Sequence, residues 1–320
     1  MFQSIEIERF RGFSRLTLED LGRVNLVVGE NNTGKTSLLE AITLLANPMQ
    51  MFDLHRLYRI DRHQEADARF FDWVPQHGAG DAAACLRVTS PKSELREFTI
   101  ERGFHFQHKL GEGEQSEFSS DKHPIFVRGK GPFRRLRAHA VSVQHRVPEA
   151  LVDAFAAAVR APEDERQLES LLASVDKRIR SVRLDAASSK PFIAVDVGLR
   201  ERIPLSQAGQ GIYRLVAIFS ELLGGKPDIC FIDEIENGIH YTALPTVWKG
   251  IAEVSERLGI QVFATTHSRE CLIAAHECFA ARNSYDFRVI QLYRMEGAAE
   301  GRTLDRKHIE AAIAGDIELR

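Results

Sequence analysis

Two short segments carry residue types that act on phosphate. GENNTGKT, Gly29–Thr36, fits the spacing G-x-x-x-x-G-K-[ST]. Glycines in such a loop let successive backbone N–H groups curl toward one point, and the start of a following helix adds partial positive charge there. Lys35 is expected to reach the β- and γ-phosphates of a nucleoside triphosphate, and the Thr36 hydroxyl to ligate Mg²⁺. DICFIDEIENGIH, Asp228–His240, runs an apolar stretch into Asp233 and Glu234. A carboxylate at the C-terminal edge of a strand lies where α/β folds hold ligands. Asp233 is the expected metal ligand, and Glu234 the group that orients or deprotonates an attacking water. An Asp-Glu pair after a strand is common on surfaces; beside a phosphate loop, each motif predicts the other.

Two further segments each admit two readings. QVFATTHSRE, Gln261–Glu270, runs an apolar stretch into Thr265, Thr266 and His267. His267 either donates to the γ-phosphate and to charge developing in the transition state, or it caps the next helix together with Ser268. PLSQAGQGIYRL, Pro204–Leu215, is a Ser/Gly-rich turn entering a helix. Either its N–H groups and the Ser206 hydroxyl bind a second phosphate-like group, or it is a plain helix start.

These groups need elements to hold them. Ser4–Phe10 and Phe13–Leu18 alternate apolar and polar residues, which predicts two strands pairing around Arg11–Gly12. Arg23–Gly29 is continuously apolar, as a strand buried on both faces is. Thr36–Ala46 repeats its apolar residues (Leu38, Leu39, Ile42, Leu45) at helical spacing. The middle of the chain is less regular. Helical pieces are expected at Met51–Tyr58 and Ala66–Trp73, and strands near Ala83–Val88, Glu97–Arg102 and Ala138–Val143. The polar stretch Gly111–His123 reads as a loop, and Pro148–Arg180 as helical. Buried-strand signals return at Phe192–Val197, Asp228–Asp233, Ile260–Thr266 and Phe287–Met295, separated by helical Gln210–Leu223, Tyr241–Leu258 and Arg269–Ala280. Strands alternating with helices predict a parallel α/β sheet.

Composition sets the bounds. The 320 residues suggest about two domains at ~150 residues each, enough for a full core without disulfides. A net charge of −3 excludes a globally basic nucleic-acid binder but not a local basic patch. The charged N-terminus is no secretory signal, and no apolar run approaches the ~18 residues of a membrane span. Cys85, Cys230, Cys271 and Cys278 show no metal-ligand spacing and read as reduced thiols of a cytoplasmic protein.

The four segments, in this order, resemble the ATP-binding-cassette (ABC) type of ATPase head found in RecF, the SMC proteins and the OLD (overcoming lysogenization defect) family. NNTGKTSLLEAI and IDEIENGIHY look most like the stand-alone OLD-like ATPases. The resemblance covers 1–51 and 179–320 well and 52–178 loosely. It implies a discontinuous P-loop NTPase head with a mixed N-terminal β-subdomain and a parallel core sheet. An inserted lobe, β-rich to about residue 146 and helical over 148–178, would interrupt it. The Walker A element is then Gly29–Thr36, so that Gly29, Glu30, Asn31, Asn32, Thr33, Gly34, Lys35, Thr36 and Ser37 surround ATP and Mg²⁺. The Walker B element is Ile229–Glu234, the switch histidine His267 and the D-loop Glu236–His240. The signature-like turn is Leu205–Gly211, contributing Ser206, Gly209, Gln210 and Gly211. Arg11, in the leading IERFRGF, lies near nucleotide by the same resemblance. The signature reads LSQAGQG in place of LSGGQ, and no Q-loop is placed, Gln144 in SVQHR being a weak candidate. OLD nucleases continue into a Toprim domain; the chain ends soon after its last strand, so nuclease activity is not carried over.

In the ABC arrangement, nucleotide is held between one subunit's phosphate loop and the other's signature turn. One copy of each per chain implies a homodimer with composite ATP sites. A complete head without an effector domain suggests a switch that regulates a separate effector protein, as in phage-defence systems. The alternative is a RecF-like DNA-binding repair ATPase, and a transporter subunit ranks last. Asp121–Arg146 bears on the alternative, holding seven Lys/Arg and one acid. Arg128, Lys130, Arg134, Arg135 and Arg137 either contact DNA or form a solvated face opposite the acidic Glu112–Asp121 loop, the reading favoured from sequence.

Overall fold

In the computed structural model the β-rich opening is an antiparallel ladder. Residues 1–47, 50, 74, 83–90, 95–102, 115–120, 123–130, 136–141, 148–185, 190–295 and 297–319 are described. The strands are β1 (Ser4–Phe10), β2 (Phe13–Leu18), β3 (Val24–Val28), β4 (Ala84–Thr89), β5 (Leu95–Arg102), β6 (Gln115–Ser120), β7 (His123–Lys130), β8 (Ala138–Val141), β9 (Ser181–Asp185), β10 (Phe192–Asp196), β11 (Ile203–Pro204), β12 (Ile229–Ile232), β13 (Gln261–Thr265), β14 (Phe287–Met295) and β15 (Ala298–Leu304). The helices are α1 (Lys35–Ala46), α2 (Pro148–Ala158), α3 (Pro162–Val175), α4 (Gln210–Ser220), α5 (Leu244–Leu258), α6 (Arg269–Ala280) and α7 (Arg306–Ala314). The expected helical pieces at Met51–Tyr58 and Ala66–Trp73, and Gln144, lie outside the described residues.

The chain forms two compact units, 1–138 with 288–320, and 139–287.

In the first unit, six antiparallel strands run in the order β2-β1-β4-β5-β7-β6. The alternation in β1 and β2 has its expected effect: Ile5, Ile7, Phe10, Phe13, Leu16 and Leu18 are buried, and Phe10 pairs with Phe13 across the Arg11–Gly12 turn. Arg11 closes that turn with a left-handed φ of 53°. The loop expected over Gly111–His123 is a correction, because Gln115–Ser120 is a strand, β6, paired with β7 from Gln115↔Lys130 to Ser120↔His123. A polar strand at a sheet edge needs only backbone hydrogen bonds, so it lacks the apolar alternation that betrays other strands. The same unit holds β15-β14-β3 as neighbours. All five residues of β3 are buried, as its uninterrupted apolar run requires.

In the second unit β12 and β13 pair in parallel, Ile229↔Gln261 to Ile232↔Ala264. Short β9, β10 and β11 form a separate antiparallel sheet, of which β9 and β11 carry too little pattern to be expected. The helices of this unit fall within their predicted spans, with Pro148–Arg180 broken into α2 and α3 and ending at Val175, and with α5 beginning at Leu244 after a 3-10 turn. α5 starts with proline at its first turn and stops at Gly259, whose φ is 70°. α4 runs on into a π turn, Glu221–Gly225. Trp248, Phe219, Phe231 and Phe263 fill the core of this unit. The fold is thus α/β, with parallel and antiparallel strands in its core and antiparallel sheets besides.

Candidate functional site

The phosphate loop connects β3 to α1 in the first unit. Gly29 has a φ of 151°, and a Cβ there would lie 2.4 Å from the Leu292 carbonyl oxygen and 2.7 Å from Thr33 Oγ1. Only glycine fits a backbone pressed this closely against β14. Lys35 is 8% exposed, and its Nζ donates to the Gly29 and Glu30 carbonyls, each at 2.7 Å. Thr33 Oγ1 donates to the same Glu30 carbonyl at 2.8 Å. The loop is therefore curled around its own ammonium group. α1 begins with Gly34 at φ 102°, no side-chain cap and no acid in its first turn. A helix start left in that state suits an anion. Glu30, Asn31 and Asn32 are exposed, and Thr36 and Ser37 half-buried.

Arg11 is half-buried, with its side chain 9% exposed. Its Nε donates to Glu40 Oε2 at 2.9 Å, on the helix that leaves the loop. One contact of the loop is announced by no motif. Arg294 of β14 donates from Nε to the Asn32 carbonyl at 3.1 Å and from Nη1 to the Gly297 carbonyl at 3.4 Å.

The second unit assembles the carboxylate segment. β12 delivers Asp233 and Glu234, both half-buried, into a run of turns. Glu234 has a left-handed φ of 44°, a strained conformation for a residue with a side chain. Its N–H is held by Thr265 Oγ1 at 2.7 Å, and that hydroxyl donates to Asp233 Oδ1 at 2.7 Å. Its carbonyl accepts Arg214 Nη2 at 3.3 Å, and the same nitrogen donates to the Asp233 carbonyl. Thr265, at the end of β13, thus fixes both acids from one side, and Arg214, on α4, from the other. An arginine inside the apolar run of α4 was a readable signal, because a buried guanidinium must find acceptors.

His267 is half-buried, and its backbone N–H donates to Glu236 Oε1 at 2.8 Å. The cap of α6 is Ser268, whose hydroxyl accepts the Cys271 N–H at 3.1 Å. The capping role therefore falls to Ser268 alone. Burial, with the Glu236 carboxylate adding to it, pushes the Cys271 thiol up to about 12. A thiol so raised stays protonated and unreactive. All four cysteines are free.

The signature-like turn lies against the carboxylate segment. A Cβ on Gly211 would stand 2.6 Å from the Gly238 carbonyl oxygen, so the two backbones meet where neither tolerates a side chain. Ser206, Gly209 and Gln210 are exposed, and α4 starts without a side-chain cap. Of the basic stretch, Arg128 and Lys130 belong to β7 and Arg137 is exposed, while Arg134 and Arg135 lie outside the described residues.

Among the described residues no group of three or more His, Cys, Asp or Glu forms a metal cage. The Thr36 hydroxyl of the first unit and the Asp233 carboxylate of the second are each a hard oxygen donor of the kind Mg²⁺ takes. Among the described residues no helix is long and apolar enough to cross a membrane.

Residues 90–272 match the AAA-domain family whose description names the AbiEii toxin and type IV TA systems. The chain belongs to this family. Residues 1–122 match a second model, that of the AAA ATPase domain. An ATP/GTP phosphatase of Helicobacter pylori is 22% identical, with 84% of this chain and 86% of that protein aligned. The DNA replication and repair protein RecF of Shewanella denitrificans is 36% identical over 94 residues, which span 29% of this chain and 26% of RecF. Among solved structures, an SMC head bound to the C-terminal winged-helix domain of ScpA superposes with a TM-score of 0.60 at 12% identity, covering 98% of this chain and 99% of that one. The SMC head of Thermotoga maritima gives 0.51 at 12% identity, covering 95% and 99%. The protein is an AAA-type ATPase with an SMC-head-like fold and RecF-like relatives.

Proposed function

We propose that this ATPase is an OLD-like, Mg²⁺-dependent switch that closes into a homodimer on ATP and regulates a separately encoded effector. The observation that carries the reading is the pairing of Asp233 and Glu234 on one hydroxyl, with Glu234 held in a conformation that costs energy. Strain of this kind persists where a site needs it. In this reading Lys35 and the loop N–H groups bind the β- and γ-phosphates. Thr36 and Asp233 hold Mg²⁺, which would neutralise charge on the phosphates. Glu234 orients the attacking water and takes its proton, and His267 donates to the γ-phosphate. Ser206, Gly209, Gln210 and Gly211 would serve the partner copy's nucleotide. The family's toxin–antitoxin description supports an ATPase that works with a second gene product.

Lys35→Ala should abolish ATP binding. Glu234→Gln should bind ATP, turn over about a hundredfold more slowly or worse, and accumulate as an ATP-bound dimer in size-exclusion chromatography. Hydrolysis by Glu234→Gln at the wild-type rate would remove Glu234 as the base.

A second reading, a DNA-binding repair ATPase, is favoured by the local similarity to RecF. It expects DNA affinity that falls with salt and drops when Arg134 and Arg135 become glutamate. Affinity indifferent to both changes refutes it.

A further inference from the structure

We infer that Arg294 is a positioning residue of the phosphate loop and a second cation for the polyphosphate it binds. This rests on the nucleotide reading of that loop and adds a residue that no motif assigns. β14 is the loop's wall at two points. Its Leu292 carbonyl lies against Gly29, where the loop begins, and its Arg294 guanidinium holds the Asn32 carbonyl at the loop's crest. Asn32 is in the left-handed region at φ 63°, so the peptide that Arg294 grips belongs to the turn on which the crest depends. The guanidinium is itself braced by the Gly297 carbonyl in the β14–β15 turn.

The chemistry follows from the donor count. A guanidinium carries five N–H groups in a planar fork. Nε and Nη1 each give one to a carbonyl, and both acceptors are neutral. The positive charge is therefore not cancelled by these contacts, and among the described residues no other partner takes the remaining N–H groups, which leaves them to an anion beside the crest. Arg294 is exposed, so a ligand reaches it without any rearrangement of the core. Lys35 is different: it is buried and turned onto the loop's own carbonyls. The loop then has a cation inside its curl and another outside its crest. The inner one fits a phosphate seated in the loop, and the outer one fixes the shape of the seat while adding attraction for the same charge.

The test is nucleotide affinity, measured by calorimetry with ATP and ADP on the full chain. Wild type, Lys35→Ala, Arg294→Ala, Arg294→Lys and Arg294→Gln are compared, each with its unliganded melting temperature. Arg294→Ala should weaken both nucleotides by about tenfold, the factor one charge-assisted hydrogen bond supplies. Arg294→Lys keeps the charge and should recover most of the loss at low salt. Arg294→Gln keeps a donor without the charge and should recover less, with a shallower salt dependence than wild type. An Arg294→Ala variant that binds with wild-type affinity, while Lys35→Ala does not bind, overturns the inference and leaves the nucleotide reading standing. Wild type that binds neither nucleotide overturns the reading and the inference together. If Arg294→Ala fails to fold, the other two decide: equal affinities for Arg294→Lys and Arg294→Gln at low salt overturn the role of the charge.

Discussion

Replacing Thr265 by valine tests how the carboxylate segment is held, because the two side chains have the same shape and only the hydroxyl is lost. That hydroxyl makes two hydrogen bonds of 2.7 Å, one to Asp233 Oδ1 and one from the Glu234 N–H. Thr265 is 0% exposed, so water cannot replace them. A buried N–H left without an acceptor costs about 1–3 kcal/mol. The methyl group gained offsets this by less than ~1 kcal/mol. The left-handed backbone at Glu234, worth about 1 kcal/mol or more of strain, then has one restraint fewer. The variant should lose about 1–3 kcal/mol of stability, read from the midpoint of chemical denaturation. Its effect on catalysis should be larger. A group misplaced by about 1 Å can slow chemistry about a hundredfold, so kcat should fall by about ten- to a hundredfold. KM for ATP should change little, since Thr265 belongs to the acids and not to the phosphate loop. Thr265→Ser, which keeps the hydroxyl, should retain turnover and lose only about 1 kcal/mol for the missing methyl. A valine variant with wild-type kcat and an unchanged midpoint refutes the reasoning.

Three other changes probe different parts of the molecule. Glu234→Gly relieves the strain at φ 44° and should abolish hydrolysis at no cost in stability, or with a gain of up to about 1 kcal/mol; a loss above that size in denaturation shows the conformation is not strained. Gly29→Ala places a methyl 2.4 Å from the Leu292 carbonyl oxygen, so it should cost at least about 2 kcal/mol and weaken ATP binding, and a fully stable variant that binds normally contradicts the close approach. Asp164 is 2% exposed and joined to Arg257 at 2.7 Å and Lys226 at 3.0 Å. Burial works to raise its carboxyl, but the two hydrogen-bonded cations outweigh that and hold it below the usual carboxylate range. Its contribution is thus present above the unfolded-state value of about 3.9 and lost as pH falls through the lower folded value. Asp164→Asn should cost about 1–3 kcal/mol at pH 7, with the gap to wild type closing below about pH 4; a pH-independent gap rules out the ion pairing.

Much of this architecture is written in local pattern. Alternation in β1 and β2, the unbroken apolar runs of β3, β12 and β13, and the proline and glycine at the ends of α5 mark those elements without any tertiary knowledge. β6 shows where pattern fails. Gln115–Ser120 has the composition of a loop, and it is a strand because β7 offers it hydrogen-bonding partners. β9, β11 and β15 are missed for the same reason, being short or polar and defined by what lies beside them.

The candidate site divides along a related line. Lys35, Thr36, Asp233, Glu234 and His267 stand out in the sequence because the roles proposed for them, on a phosphate or a metal, restrict the residue type, and restricted types at fixed spacings are conspicuous. The supporting roles of Thr265, Arg214, Arg294 and Glu236 escape because, apart from the Thr265 hydroxyl's bond to Asp233 Oδ1, each acts through backbone groups: the Glu234 N–H, the Asp233 and Glu234 carbonyls, the Asn32 carbonyl and the His267 N–H. Every residue presents an N–H or a carbonyl, so nothing at the receiving end marks the sequence. Among these, only Arg214 leaves a trace, since its charge interrupts an apolar helix face; an exposed arginine near a hairpin turn or a threonine ending a strand is unremarkable until the fold is known. Substitutions at such supporting residues should therefore change turnover while every motif stays intact.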